Sequence, residues 1–192
     1  MKVEVRSDHV LIDGYVNAVG RDSREIPDRR GSFVEQVMPG AFARALGKGE
    51  PVELRLNHER ALGSTADGTL ELAEDSIGLR ARAKITDPEV MEKARGKKLR
   101  GWSFGFRQPV DEWEEREAAP PRRYLKDFVL TEVTIVDDRK RPAYAATSIE
   151  TRDGSDDPPE YEIEEAAPPP DIPAADARTA MAGYRARRLK IN

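Results

Sequence analysis

Apolar and polar residues alternate along several short stretches of the chain, and that two-residue period predicts strands more often than helices. Val3 and Val5, then Val10-Leu11-Ile12 and Tyr15-Val16, read as a hairpin turning at Asp13-Gly14. The charge-dense residues 21–32 predict an exposed loop. Residues 39–46 suit a short helix, with Pro39 at its start and Gly47 just past its end. Val52, Leu54, Leu56 and His58 share one face of a strand, so His58 ends an apolar face. Residues 70–72 and 79–85 flank a turn over residues 74–78 and predict a second hairpin. Asp87 is placed to cap a helix that has Pro88 first and Gly96 as its stop.

Residues 99–107 form the next strand pattern. Trp102, Phe104 and Phe106 fall on one face, and Gly101, Ser103 and Gly105 on the other. The first face can anchor in a core. The second is bare except for one hydroxyl, so another backbone can approach it closely. That suits a serine nucleophile that must meet a peptide. Polar residues 111–123 predict a long surface loop. Residues 124–136 are the longest strand candidate, with Phe128, Leu130, Glu132, Thr134 and Val136 on one face. A carboxylate on an apolar face costs several kcal/mol unless it is paired, so Glu132 demands a partner. Asp127 points the other way, and Asp137 and Asp138 read as solvated in a charged turn over residues 137–142. A short segment, residues 143–149, follows.

Composition narrows the class. The 192 residues contain no cysteine, which excludes disulfides, thiolate nucleophiles and cysteine-ligated metals. A net charge of -4 gives no electrostatic reason to expect nucleic acid as the main partner. No apolar run approaches the ~20 residues needed to span a bilayer, and the N-terminus lacks an apolar signal core, so no membrane association is expected. Past Thr151 the composition shifts. Residues 153–173 are mainly Asp, Glu, Pro and Ala and cannot bury enough apolar surface to order themselves. Residues 176–190 are basic and suit a short helix carrying Met181, Tyr184 and Leu189. The expected organisation is a mainly β domain with flanking helices (α+β) over residues 1–150, a disordered acidic linker over 151–175 and a basic end over 176–192.

Gly101-Trp102-Ser103-Phe104-Gly105 matches G-x-S-x-G literally, but no helix pattern follows, and both histidines precede the serine. The nucleophile elbow of an α/β-hydrolase is therefore rejected. A serine needs a base, and the base needs an orienting acceptor. His58 is the natural base, since His9 sits beside polar Ser7-Asp8 near the terminus. Ser103, His58 and Glu132 each end or interrupt a strand face where burial is costly, and one hydrogen-bonded trio satisfies all three. No histidine spacing supports a metal and no glycine-rich loop opens a helix, so neither metal nor cofactor is expected.

The order of Val37-Met38-Pro39-Gly40-Ala41-Phe42, Leu56-Asn57-His58 with Leu62-Gly63, Leu99-Arg100-Gly101-Trp102-Ser103-Phe104-Gly105-Phe106, Leu130-Thr131-Glu132-Val133-Thr134-Ile135-Val136 and Pro142-Ala143-Tyr144 resembles the HK97-like prohead serine proteases of tailed bacteriophages. The resemblance spans residues 3–149. It implies a β-barrel with flanking helices similar to herpesvirus assemblins, with His58 as base, Ser103 as nucleophile and Glu132 as the acidic third member. It also implies an oxyanion site in Arg139, Lys140 and Arg141, beside Gly101 and Gly105. Trp102 stands where methionine would be expected. The implied partners are the phage major capsid protein and scaffold, inside the procapsid in the host bacterial cytoplasm. Herpesvirus relatives bring in a homodimer or higher homo-oligomer, and the tail would dock on scaffold or be trimmed by the enzyme itself. The reading from another class is a non-catalytic capsid-assembly or scaffold module with the same barrel.

Overall fold

In the computed structural model, which describes residues 1–29, 31–139 and 159–163, the chain is mostly β. The first half runs β1 (Lys2–Val5), β2 (Val10–Ala18), β3 (Ile26–Asp28), β4 (Gly31–Val37), α1 (Ala41–Gly47), β5 (Glu53–Leu56) and β6 (Arg60–Ser64). The second runs β7 (Leu70–Glu74), β8 (Gly78–Ile85), α2 (Pro88–Arg95), β9 (Leu99–Glu114), β10 (Arg122–Asp137) and β11 (Glu160–Ile163). One sheet has the order β11-β1-β2-β8-β7. The other has β3-β4-β10-β5-β6, with β9 also paired to β10. Apolar side chains of both sheets and both helices meet in one core.

The locally encoded elements form where the pattern puts them. Asp87 Oδ1 accepts from the N–H groups of Glu89 and Val90 at 3.0 and 3.1 Å, and Pro88 opens α2. Strands β7 and β8 pair around the expected turn. The first hairpin also forms, but it turns earlier. Arg6 N–H donates to His9 C=O at 2.9 Å, while Asp13 and Gly14 continue β2. Gly14 serves close packing there, because a Cβ would stand 3.0 Å from Met1 Cα.

Three loop expectations are overturned. Residues 21–32 contain β3 and the start of β4, which pair antiparallel. Residues 111–123 are not one long loop, because β9 runs to Glu114 and β10 begins at Arg122. Their polar residues hold the ribbon together across the strands: Arg123 Nε meets Asp111 Oδ2 at 2.6 Å, and Tyr124 OH donates to Glu114 Oε2 at 2.5 Å. Opposite charges across a strand pair stabilise it. Finally, residues 160–163 lie within the linker expected to be unordered, yet they form β11, parallel to β1. A single edge strand needs little apolar surface when a neighbour supplies its hydrogen bonds. Here Tyr161 OH also donates to Leu99 C=O at 2.7 Å. The segment 143–149, the rest of the acidic linker and the basic end lie outside the described residues.

Strand β10 organises the second sheet. It runs parallel to β4 at its start and to β5 at its end, and antiparallel to β9 throughout. Trp102, Phe104, Leu130, Val133, Ile135, Leu54 and Leu56 turn to the core. Phe42 of α1 packs edge-on to Phe104 and Phe128 with ring centroids 5.1 and 5.3 Å apart. Such aromatic pairs add about 0.5–1.5 kcal/mol each beyond their area, so the strand carrying Ser103 is anchored from behind.

Candidate active site

The faces of β10 differ from the simple alternation. Leu130 pairs with Phe106, but Glu132 pairs with Gly105, so Thr131 is an extra residue on β10. This β-bulge shifts the side-chain phase by one. Glu132 and Thr134 therefore leave the face of Phe128 and Leu130 and join that of Gly105 and Ser103. The expectation that Glu132 stands on the apolar face is thus wrong, and the outcome is a carboxylate on the serine face.

His58 arrives there by a second departure. It lies past the end of β5, and Asn57 and His58 have positive φ, 55° and 66°. Strict alternation would have kept His58 with Leu54 and Leu56 on the core face. The left-handed pair instead swings it to the outer face, where it is exposed. Three hydrogen bonds from β10 hold this turn. Asn57 N–H donates to Ile135 C=O at 2.8 Å, His58 N–H to Thr134 Oγ1 at 2.9 Å, and Asp137 N–H to Asn57 Oδ1 at 3.1 Å.

The imidazole meets the carboxylate: His58 Nδ1 lies 2.5 Å from Glu132 Oε1. Glu132 Oε2 is taken by Arg55 Nε at 3.0 Å, and Arg55 in turn pairs with Glu53 at 2.6 Å. Glu53, and then Glu132, push the Arg55 guanidinium further up from its already high value. Ser103 is 8 % exposed and stands opposite Thr134 in the β9/β10 ladder. The residue that holds the His58 backbone is thus the cross-strand partner of the serine. Among the described residues no hydrogen bond joins Ser103 Oγ to the His58 ring. In serine enzymes that contact is often long before substrate is bound.

Gly105 clears room for the carboxylate, since a Cβ there would come within 2.8 Å of Glu132 Cγ and Oε1. Gly101 is buried opposite Val136. Arg139 fits the oxyanion role poorly, because its N–H already donates to Asp137 Oδ1 at 3.0 Å. Lys140 and Arg141 lie outside the described residues. Asp137 is not solvated as expected but fully buried, with Lys93 Nζ at 3.0 Å and Arg139 Nε at 3.0 Å. Burial alone would raise its pKa. The Arg139 guanidinium and N–H, then Lys93 and Asn57, outweigh burial and hold the carboxyl well below the usual range.

Sequence reasoning missed Thr134, Arg55 and Asp137 as parts of this site. Arg55 and Glu53 were legible as the polar face of β5, but only the β5/β10 register brings them to Glu132. Among the described residues no group of three acidic or histidine side chains is arranged to hold a metal ion. Nor is any helix there long and apolar enough to cross a membrane.

Among known families, residues 1–158 match the caudovirus prohead serine proteases. The chain belongs to that family. It is a serine protease of phage capsid maturation. Neither a curated protein nor a solved structure matches it. The match spans the strands bearing Ser103 and Glu132 and the turn bearing His58, and it ends just short of β11.

Proposed function

We propose that Ser103, His58 and Glu132 form the catalytic relay of this prohead protease, and that it cleaves scaffold or a capsid-protein extension within the immature shell. One observation carries the reading: the 2.5 Å contact of His58 Nδ1 with Glu132 Oε1, on the sheet face that also bears Ser103. With Nδ1–H donating to the carboxylate, Nε2 is left as the basic nitrogen. It takes the Ser103 proton as Oγ attacks the peptide carbonyl. It then returns the proton to the departing amine, leaving an acyl-enzyme that water hydrolyses by the same relay in reverse. Glu132 fixes the tautomer and stabilises the imidazolium.

Because the Arg139 N–H is engaged, the oxyanion donors are assigned to the neighbouring backbone at Lys140 and Arg141. Each such donor contributes about 3 kcal/mol in well-studied serine proteases. The fold reading extends to a barrel, supported by the packing of Trp102 Nε1 3.4 Å from where a Cβ at Gly14 of β2 would stand. The protease domain is taken as residues 1–150 with β11 added to its edge, followed by a tail that docks on scaffold or is trimmed by the enzyme. Assembly as a homo-oligomer belongs to the same reading.

Co-expression with the capsid and scaffold proteins of the same phage tests it. Ser103→Ala should lower kcat by about 10⁴ or more and leave precursor uncut. Precursor processed equally by wild type and S103A would remove Ser103 as nucleophile. A fluorophosphonate labels Ser103 if this reading holds and leaves it unmodified if the chain is a non-catalytic assembly module.

A further inference from the structure

The base stands on an unfavourable backbone. Asn57 and His58 occupy the left-handed region in succession, at φ of 55° and 66°. Residues with a Cβ persist there only where their surroundings hold them. Two of the three contacts from β10 use backbone groups of Ile135 and Asp137, which no side-chain change at those positions removes. The third, to His58 itself, uses a side chain: Thr134 Oγ1 accepts the His58 N–H at 2.9 Å. Thr134 is fully buried, and among the described residues its hydroxyl has otherwise only a long 3.5 Å approach to Ile135 C=O. On one side it pairs with Ser103 of β9, and on the other with Arg55 of β5.

We propose that Thr134 is a positioning residue of the protease: by accepting the His58 N–H, its hydroxyl fixes the root of the imidazole against the strand that carries Ser103. The inference rests on the reading of Ser103 and His58 as nucleophile and base. The ring is then held at two points, Glu132 at Nδ1 and Thr134 at the backbone. Without the Thr134 bond, the His58 backbone keeps the contacts made through Asn57 and a longer 3.4 Å bond from Arg55 Nη1 to its C=O. Valine fills the volume of Thr134 but offers the His58 N–H no acceptor. Serine keeps the oxygen and gives up only a methyl group. Loss of the hydroxyl should slow the attack of Ser103 without altering how a ligand is bound.

The test uses the purified full-length chain and a fluorophosphonate probe over a range of concentrations, read as a limiting labelling rate and a half-saturating concentration. Thr134→Val should lower the limiting rate about 10-fold or more, the change expected when a partly buried donor loses its acceptor and the base loses its placement. Half-saturation should hold within about twofold, and Thr134→Ser should restore the rate to within about threefold, as a role confined to the hydroxyl demands. A T134V rate equal to wild type, a change confined to half-saturation, or a T134S variant as slow as T134V overturns the inference. Labelling of Ser103→Ala, or none of wild type, instead defeats the assignment of Ser103. Should T134V not fold, hydrogen exchange of the His58 amide in wild type decides. Protection supports the contact, and exchange at the rate of an unstructured amide refutes it.

Discussion

Gly105→Ala tests whether Glu132 works by orienting His58. Gly105 lies opposite Glu132 in the β9/β10 ladder, and a Cβ would stand 2.8 Å from Cγ and Oε1 and 3.2 Å from Cδ. Favourable carbon contacts lie near 3.5–4.0 Å, so the carboxylate must retreat by about 0.7–1.2 Å. The oxygen displaced is the one that holds His58 Nδ1 at 2.5 Å. After the retreat that bond reaches or exceeds the ~3.2 Å limit of a good hydrogen bond. Arg55 at Oε2 gives the moved carboxylate an alternative anchor. The loss should fall between that of a 1 Å misplacement, about 10², and that of losing the orienting carboxylate, about 10⁴. We expect about 10²–10³ in precursor cleavage and in fluorophosphonate labelling, with stability changed by about 1 kcal/mol, as the displaced group is the flexible end of a side chain. Gly47→Ala is the control: a Cβ there meets nothing within 4 Å. Combined with Glu132→Gln, Gly105→Ala should cost almost nothing more, since both changes act on one contact. Wild-type activity in G105A, or full additivity with E132Q, would refute the reasoning.

Three further outcomes follow from other contacts. Asp137→Asn leaves Lys93 and Arg139 without their buried carboxylate and should destabilise the protein by about 2–4 kcal/mol in urea unfolding. Because the folded-state carboxyl is held below its ordinary 3.8, its contribution is present above that pH and is lost as pH falls below it; the acid limb of stability should therefore flatten in D137N, and an unchanged limb would count against the buried pairing. Tyr161→Phe removes the bond to Leu99 C=O and should cost about 0.5–1.5 kcal/mol. Burial pushes the Tyr161 hydroxyl up to about 12, so its stabilisation is intact below pH 10 and declines as pH rises towards 12, a dependence Y161F should lack in alkaline titration of stability. Asp87→Ala uncaps α2 and should cost about 1–2 kcal/mol by thermal unfolding, with no loss expected if the cap is dispensable.

What the sequence made legible was what neighbouring residues decide between themselves. The cap and proline of α2, the β7/β8 hairpin and the alternation around Ser103 are all local. The partnership of His58 with Glu132 was also legible, because a carboxylate at that point of a strand needs a partner. The geometry that joins them differs. Both residues were expected on an apolar face, and both stand on the outer one. Nothing in Leu130-Thr131-Glu132 announces a bulge; it emerges from the register that Phe106 and Gly105 impose from β9. Asn57 was a usable sign, as asparagine tolerates positive φ better than most residues. Asp137 and β11 depend on partners far along the chain, Lys93 and β1, whose proximity no short window contains.

The extra residue in β10 has an evolutionary corollary. Substitution is the change usually scored when relatives are ranked as active or inactive, yet here register matters as much as identity. A descendant whose bulge was ironed out, with Thr131 rather than Glu132 opposite Gly105, would retain serine, histidine and glutamate in the same order while turning its glutamate inward. Such a paralogue would pass an inspection of its letters and fail as a catalyst, whereas loss of Thr131 itself leaves the glutamate opposite Gly105 and should be tolerated where proteolysis is under selection.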